Sequence, residues 1–191
     1  MNKKIFFTKL GEVKSPVRAF PTSAGIDFFM PKIDEGLIKD LLHKNPRPFG
    51  NIKQGVNPEN NAVTYELIIY PGQRVIIPSR IKVWFMDDTP SALIAANKSG
   101  LASKKGIQFT AQVIDQEYSG EIHLGIMNTG DDLVSFKEGD KVIQFIHTPI
   151  FTSDLVELHN ESYDWAVKEW ESFFSLGETR GSNGFGSTDS K

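Results

Sequence analysis

Residues 112–128, QVIDQEYSGEIHLGIMN, carry the pattern that decides the fold. Two short apolar runs flank a tight turn, as expected for two antiparallel strands. Similar short runs, rich in β-branched or aromatic residues, recur along the chain at residues 4–9, 26–29, 63–70, 74–77, 81–86, 93–96, 108–114, 121–128, 133–136 and 141–151. Turn residues such as Pro-Gly and Gly-Asp separate them. This spacing predicts an all-β sandwich or barrel rather than alternating βα units.

Two segments break the β pattern. Residues 33–44 place apolar side chains at helical spacing and are followed by a predicted loop over 45–61, and residues 164–174 predict a second helix. We interpret residues 31–62 and 162–176 as insertions that decorate a β-domain spanning residues 1–176. The remaining tail, residues 177–191, is rich in glycine and has little with which to pack a core, so alone it should be disordered.

Composition excludes several classes of function. The chain has 191 residues, no cysteine and a net charge of −3, so disulfides, thiolate-bound metals and cysteine nucleophiles are excluded. The four histidines show no metal-ligand spacing. The mild acidity argues against direct nucleic-acid binding, and the sequence predicts neither a membrane span nor a secretory signal. We therefore expect a soluble intracellular protein that acts on a small anionic ligand.

The tail contains a candidate phosphate-binding segment. In Arg180–Thr188, RGSNGFGST, glycines and hydroxyl residues allow successive backbone N–H groups to converge on phosphate oxygens, while Arg180 adds a bidentate donor. Phe185 could close over a flat ring. The alternative is a flexible terminal linker.

Further candidate groups lie in the β-domain. The turn NKSGLA, residues 97–102, could present a cation, a hydroxyl and a backbone N–H to a phosphate, or be a plain turn. Asp115, at the end of an apolar strand, could deprotonate a water, and Tyr118 could pack against a sugar; both could equally be ordinary hairpin residues. Asp27 and Gln144 lie in apolar strands, where each needs a partner; for Asp27 we expect a cation or an ordered water network.

The order of five segments resembles the trimeric dUTP diphosphatase (dUTPase) family. The segments are AGID at 24–27, NKSGLA at 97–102, VIDQEYSG at 113–120, GDKVIQFI at 139–146 and RGSNGFGST at 180–188. The resemblance implies a jelly-roll-like β-barrel, here with one or two short inserted helices, assembled as a homotrimer with shared active sites. It implies hydrolysis of dUTP to dUMP and pyrophosphate, which lowers dUTP and supplies dUMP for thymidylate synthesis, and a location in the cytoplasm, or the host cytoplasm for a viral member.

The resemblance also implies a role for each site residue. Asp115 resembles the catalytic base that activates a water for attack on the α-phosphate, and Tyr118 the residue beneath the deoxyribose. Asp27 would anchor a network with metal-bound waters; Mg²⁺ would bind mainly through the triphosphate and waters, with no direct protein ligand. The other implied substrate-binding residues are Lys98, Ser99, Gly100 and Gln144 for phosphates, Gln112, Val113, Ile114 and His123 for uracil through backbone groups, and Arg180, Phe185, Gly186 and Ser187 in the tail, which would close over the site.

Two alternatives remain at this point. A dCTP deaminase, which shares the barrel, would place a catalytic glutamate ten residues after the aspartate, where this chain has Gly125. A non-catalytic or moonlighting member of the fold would use the barrel and its insertions to bind another protein. Lys98 stands where the family usually has arginine, and this difference removes a bidentate phosphate contact.

Overall fold

The computed structural model describes residues 4–45, 50–86 and 88–174. The chain divides into two compact units, Met1–Phe151 and Thr152–Lys191. The first unit consists mainly of strands: β1 (Lys4–Lys9), β2 (Val17–Arg18), β3 (Gly25–Phe29), β4 (Asn51–Val56), β5 (Val63–Ile69), β6 (Arg74–Pro78), β7 (Ile81–Met86), β8 (Ser91–Ala96), β9 (Ile107–Phe109), β10 (Val113–Asp115), β11 (His123–Asn128), β12 (Val134–Lys137) and β13 (Lys141–Pro149). It also contains the helices α1 (Glu35–Lys44) and α2 (Ser99–Lys105). The all-β prediction is confirmed.

Among the described residues, the strands pair into four sheets. Their strand orders are β1-β7, β10-β8-β13-β3-β2, β6-β11-β9 and β12-β5-β4, with antiparallel neighbours throughout. The five-stranded sheet matters most for function. It places β3, β8, β10 and β13 side by side, and these strands carry or directly flank most of the predicted site residues in this unit.

Alternation along the strands builds the core. In β6, Val75 and Ile77 are buried whereas Arg74 and Ile76 are exposed, which is the period of two that a half-buried strand requires. Phe28 and Phe145, on neighbouring strands, pack edge to face with ring centroids 5.0 Å apart. Each large apolar side chain buried in this way contributes about 1.5–3 kcal/mol.

Helix α1 belongs to this core, although the sequence predicted an insertion that only decorates the domain. Leu37 and Leu41 are fully buried in the same cluster as the barrel residues. Asn45, at the end of the helix, accepts a hydrogen bond from the Ile76 N–H at 2.7 Å and donates one to the Ile76 carbonyl at 2.9 Å. Because β6 is the edge of its sheet, Asn45 occupies the backbone groups that a further strand would use.

Three local predictions were wrong. The predicted loop at 45–61 contains β4, which pairs along its length with β5. The predicted strand at 108–114 divides into β9 and β10, which belong to different sheets. The predicted turn at 97–102 runs into helix α2, which begins at Ser99. For β4, β9 and β10, pairing with strands distant in the chain decided the conformation of short segments whose local signals were weak.

The second unit contains helix α3 (Asn160–Phe174), which begins four residues before the predicted helix. Tyr163, Trp165 and Trp170 are exposed on it. None of the helices in the described ranges is long and apolar enough to cross a membrane.

Candidate functional site

The turn between β10 and β11 carries the predicted base and the predicted sugar platform. Pairing with β8 fixes one arm, with Asp115 opposite Ala92. The side chain of Asp115 is exposed, while its carbonyl accepts a hydrogen bond from the Tyr118 N–H at 3.1 Å. The Tyr118 hydroxyl donates to the Glu121 carbonyl at 2.9 Å. The two strands that flank this turn were predicted to pair with each other, but β10 and β11 belong to different sheets. We keep the name hairpin turn for residues 115–121, which present a carboxylate to solvent from a backbone that is hydrogen-bonded internally.

Gly120 allows the ring of Tyr118 to fold over the turn. A Cβ at this position would lie 2.3 Å from the Tyr118 hydroxyl oxygen and 2.5 Å from the ring carbon that bears it. No side chain tolerates contacts this short, so the glycine makes room for the tyrosine and leaves the phenol 40% exposed.

The residues predicted to read uracil lie beside this turn. β10 is an edge strand, so its backbone pairs with β8 on one side only within the described part of the chain. Gln112 is fixed by a hydrogen bond from the Ala95 N–H to its carbonyl at 2.7 Å. His123 begins β11, and burial, with a further contribution from the Lys44 ammonium, lowers its pKa below the ordinary value. The ring of His123 is therefore neutral at pH 7.

Asp27 lies at the centre of a second group of residues, the Asp27 cluster, formed with Lys98 and Lys141. The carboxylate is 2% exposed; its Oδ1 lies 2.5 Å from the Lys98 Nζ and its Oδ2 lies 2.6 Å from the Lys141 Nζ. Burial alone would raise the pKa of Asp27, but the Lys141 and Lys98 ammonium groups outweigh it and hold the pKa below its ordinary value. The expected cation partner is confirmed, and there are two.

Gln144 extends this region toward the turn after β8. It lies opposite Asp27 on one side and Ala96 on the other, and its amide donates to the Asn97 carbonyl at 2.8 Å. The Asn97 side chain in turn accepts from the Phe109 N–H at 2.9 Å. The polar residue in the apolar strand therefore has a structural partner, which fixes the backbone just before Lys98, Ser99 and Gly100.

Gly25→Ala should disturb this arrangement selectively. A Cβ at Gly25 would lie 2.1 Å from the Gln144 Oε1, so the amide must turn away from the Asn97 carbonyl. We expect a rise in the KM for a nucleoside triphosphate of about fivefold, because the turn predicted to bind phosphates loses about 1 kcal/mol of hydrogen bonding. Steady-state kinetics would measure this. Gly36→Ala, on the exposed start of α1, is the control and should leave KM unchanged; an unchanged KM in Gly25→Ala would refute the role of Gln144.

The structure places the predicted residues in two groups rather than one. The Asp27 cluster adjoins the end of β8 at Ala96, whereas Asp115 pairs with Ala92 near its start. At about 3.3 Å per residue, these points are roughly 13 Å apart along the strand. Within one chain, Lys98 and Asp115 therefore stand at opposite ends of β8. The predicted tail residues Arg180, Phe185, Gly186 and Ser187 lie outside the described residues.

Three residues with site contacts were not among the sequence predictions. Lys141 is the second cation on Asp27, and Arg80 donates its backbone N–H to Glu121, the last residue of the hairpin turn. The only advance signal for Lys141 was its place directly after the Gly-Asp turn at the start of a motif. No group of three or more histidine or acidic side chains in the described ranges is arranged to hold a metal ion.

Comparison with known proteins identifies relatives of one kind. The family model described as dUTPase matches residues 62–169. A deoxyuridine 5'-triphosphate nucleotidohydrolase of Desulfitobacterium hafniense is 35% identical over 126 residues, which is 64% of this chain and 73% of that protein.

Solved structures share the fold at low identity. A dUTPase from phage phi11 of S. aureus aligns with a TM-score of 0.58 and 17% identity, covering 82% of this chain and 97% of that one. A variant of the Staphylococcus bacteriophage 80alpha dUTPase, solved with dUpNHpp, aligns with a TM-score of 0.59 and 16% identity, covering 96% and 97% of the two chains.

Proposed function

The chain belongs to the dUTPase family, and on that premise we propose that it is a dUTP diphosphatase that hydrolyses dUTP to dUMP and pyrophosphate. The observation that carries the proposal is the hairpin turn. It carries the exposed Asp115 carboxylate and, three residues later, the Tyr118 ring, on a backbone fixed by β8 and by the tyrosine's own hydrogen bonds.

Asp115 acts in this proposal as the general base. A carboxylate at the end of a paired strand can accept a proton from a water and hold that water in line with the α-phosphorus. The backbone pairing of Asp115 with Ala92 helps to set its position. Tyr118 would lie beneath the deoxyribose and leave no room for a 2′-hydroxyl.

The phosphates would bind near the Asp27 cluster. The first bond within α2 is donated by the Ala102 N–H to the Lys98 carbonyl, so the N–H groups of Ser99 and Gly100 precede the helix ladder and can face an anion. Asp27 holds the Lys98 ammonium, which is a compact charge rather than the planar fork of arginine. These groups would stabilise charge that builds on the phosphate oxygens.

The substrate in this proposal is the magnesium complex of dUTP. Mg²⁺ bound to the triphosphate oxygens and waters would neutralise part of their charge. Asp27 fits a supporting role and not that of a direct ligand, because both of its oxygens already contact ammonium groups.

We propose that the site is completed between copies in a homotrimer. The separation of roughly 13 Å between the two ends of β8 supports this, since Asp115 and Lys98 of one chain face different ends of the strand. The tail residues Arg180, Phe185, Gly186 and Ser187 would close over the nucleotide. In the cytoplasm, or the host cytoplasm for a viral member, the reaction would lower dUTP and supply dUMP for thymidylate synthesis.

Deamination of dCTP is disfavoured by the packing around Gly125. A Cβ there would lie 2.6 Å from the Thr110 Oγ1 and 3.2 Å from the Ala111 nitrogen. A catalytic glutamate at this position would therefore have to displace the Thr110 hydroxyl and shift the backbone at Ala111 slightly.

Turnover of dUTP, dTTP, UTP and dCTP with Mg²⁺, measured side by side, tests the proposed function. We expect kcat/KM for dUTP to exceed that for each of the other three by about 100-fold or more, since a site shaped to one base edge and one sugar rejects the others. Release of dUMP and pyrophosphate should account for all dUTP consumed. Ammonia release from dCTP, or equal turnover of dUTP and UTP, would contradict the proposal.

A further inference from the structure

Arg80, between β6 and β7, adopts a backbone conformation that is unusual for its type. Its φ is 59°, in the left-handed region that non-glycine residues adopt only at a conformational cost. Three contacts hold it there. Its N–H donates to the Glu121 Oε1 at 2.7 Å, its carbonyl accepts from the Leu10 N–H at 2.8 Å, and its Nη1 lies 2.7 Å from the Asp40 Oδ2 on helix α1. Strain of this kind persists where the surroundings over-determine a conformation.

These contacts converge on the end of the hairpin turn. The Ser79 N–H donates to the Ile122 carbonyl at 3.0 Å, and the Ile122 N–H donates to the Ile81 carbonyl at 2.9 Å. The two residues on either side of Arg80 therefore form hydrogen bonds with both backbone groups of Ile122, which follows Glu121. Glu121 links this segment to the hairpin turn. Its carboxylate accepts a hydrogen bond from the Arg80 N–H, and its carbonyl accepts one from the Tyr118 hydroxyl.

The other end of the turn has a separate anchor. Asp115 pairs with Ala92, and the Ser91 N–H donates to the Gln116 Oε1 at 3.0 Å. The turn that carries the proposed base and sugar platform is thus fixed by β8 at its start and by Arg80 through Glu121 at its end. Helix α1 takes part through Asp40, whose carboxylate holds a guanidinium that is 18% exposed.

We propose that Glu121 is a positioning residue for the reaction, held by Arg80, and that helix α1 supports the hairpin turn through the Asp40–Arg80 ion pair. This inference rests on the proposed function for the roles of Asp115 and Tyr118. Glu121 itself need not touch the nucleotide. Its carbonyl fixes the position of the Tyr118 ring through the hydrogen bond from the Tyr118 hydroxyl. Because the Tyr118 N–H donates to the Asp115 carbonyl, Glu121 also influences the path of the backbone at Asp115.

The comparison of Glu121→Ala with Glu121→Gln tests the proposal. Alanine removes the acceptor for the Arg80 N–H, whereas glutamine retains an Oε1 in the same place. We expect Glu121→Ala to lower kcat for dUTP about tenfold or more and to reduce the preference for dUTP over UTP by a similar factor, since small displacements of reacting groups have effects of this size. Glu121→Gln should stay within about threefold of the wild type for both quantities.

Two further variants separate positioning from general stability. Glu12→Ala removes an exposed carboxylate whose partner is Lys32, far from the turn in sequence, and should leave kcat and selectivity unchanged. Arg80→Gly keeps the backbone N–H that donates a hydrogen bond to Glu121, and glycine suits the left-handed backbone. The change deletes the ion pair with Asp40. We expect Arg80→Gly to fold and to show a loss of selectivity smaller than that of Glu121→Ala.

Amide hydrogen exchange provides a readout that does not depend on activity. In Glu121→Ala, exchange at Tyr118 and Ile122 should become at least about tenfold faster, while exchange at Phe145 in β13 stays unchanged.

If the wild type hydrolyses dUTP but Glu121→Ala matches it in exchange, kcat and selectivity, the positioning role is refuted. Uniformly faster exchange with a lowered Tm would also refute it, because Glu121 would then be merely structural. A wild type without dUTPase activity that still shows the local change in exchange would refute the proposed function and retain the role of Glu121 in holding the turn.

Discussion

Asp115→Asn should lower kcat for dUTP hydrolysis by about 10²–10⁴-fold, the usual contribution of a positioned general base. Asparagine keeps the size of the side chain and cannot accept the proton of the attacking water. The turn should keep its shape, because Asp115 is held through its backbone pairing with Ala92 and through its carbonyl. Pyrophosphate release measures the loss.

The binding of substrate should survive this change. We expect the Kd for dUTP, measured by calorimetry on the inactive variant, to stay within about threefold of the KM of the wild type. Asp131→Asn, in an exposed turn, removes the same charge and should leave turnover unaffected. Full activity in Asp115→Asn would show that another group activates the water.

Asp27→Asn should have the largest effect on stability. The change removes the negative charge from a buried position and leaves Lys98 and Lys141 facing each other across a neutral amide. Breaking a fully buried ion pair costs about 3–5 kcal/mol. Since both lysines reach solvent in part, we expect a decrease of about 2–3 kcal/mol in the free energy of unfolding, measured by urea denaturation at pH 7.

The difference in the free energy of unfolding between the wild type and Asp27→Asn should depend on pH in one definite direction. Because the folded-state pKa of Asp27 is lowered, its stabilising contribution is complete above the unfolded-state pKa of about 3.9 and is lost as the pH falls through the folded value. The gap in stability between wild type and Asp27→Asn should therefore be constant near neutral pH and shrink below about pH 3.9. Glu12→Gln, which breaks an exposed pair with Lys32, should leave the free energy of unfolding nearly unchanged. A gap that widens in acid would contradict the account of Asp27.

Most strands could be predicted from the sequence because their apolar residues alternate or cluster between clear turn signals. β4 could not, since its six residues include asparagine, lysine, glutamine and glycine, and only pairing with β5 makes them a strand. The contribution of α1 to the core could not be predicted from the sequence either. Its helical period was visible, but the burial of Leu37 and Leu41 and the capping of the β6 edge by Asn45 depend on which surface the helix meets.

The residues of the candidate site could likewise be predicted from the sequence only in part. The need of Asp27 for a cation follows from a charge in an apolar strand, but the identity of Lys98 and Lys141 depends on sheet register and on the turn after β8. Arg80 and Glu121 gave no local signal, because the first acts through an unusual φ and the second through a contact 41 residues away in the chain. The distance between the two ends of β8 likewise follows only from the register.

Hydrolysis of dUTP in ¹⁸O-labelled water, followed by mass spectrometry of both products, shows which phosphorus the water attacks. If a water activated by Asp115 attacks the α-phosphorus, the label enters dUMP and pyrophosphate remains unlabelled. The label should stay in dUMP whatever the pH, because the position of the turn and not its charge determines which phosphorus is attacked. Label in pyrophosphate, formation of dUDP and phosphate, or no hydrolysis of dUTP would contradict the account.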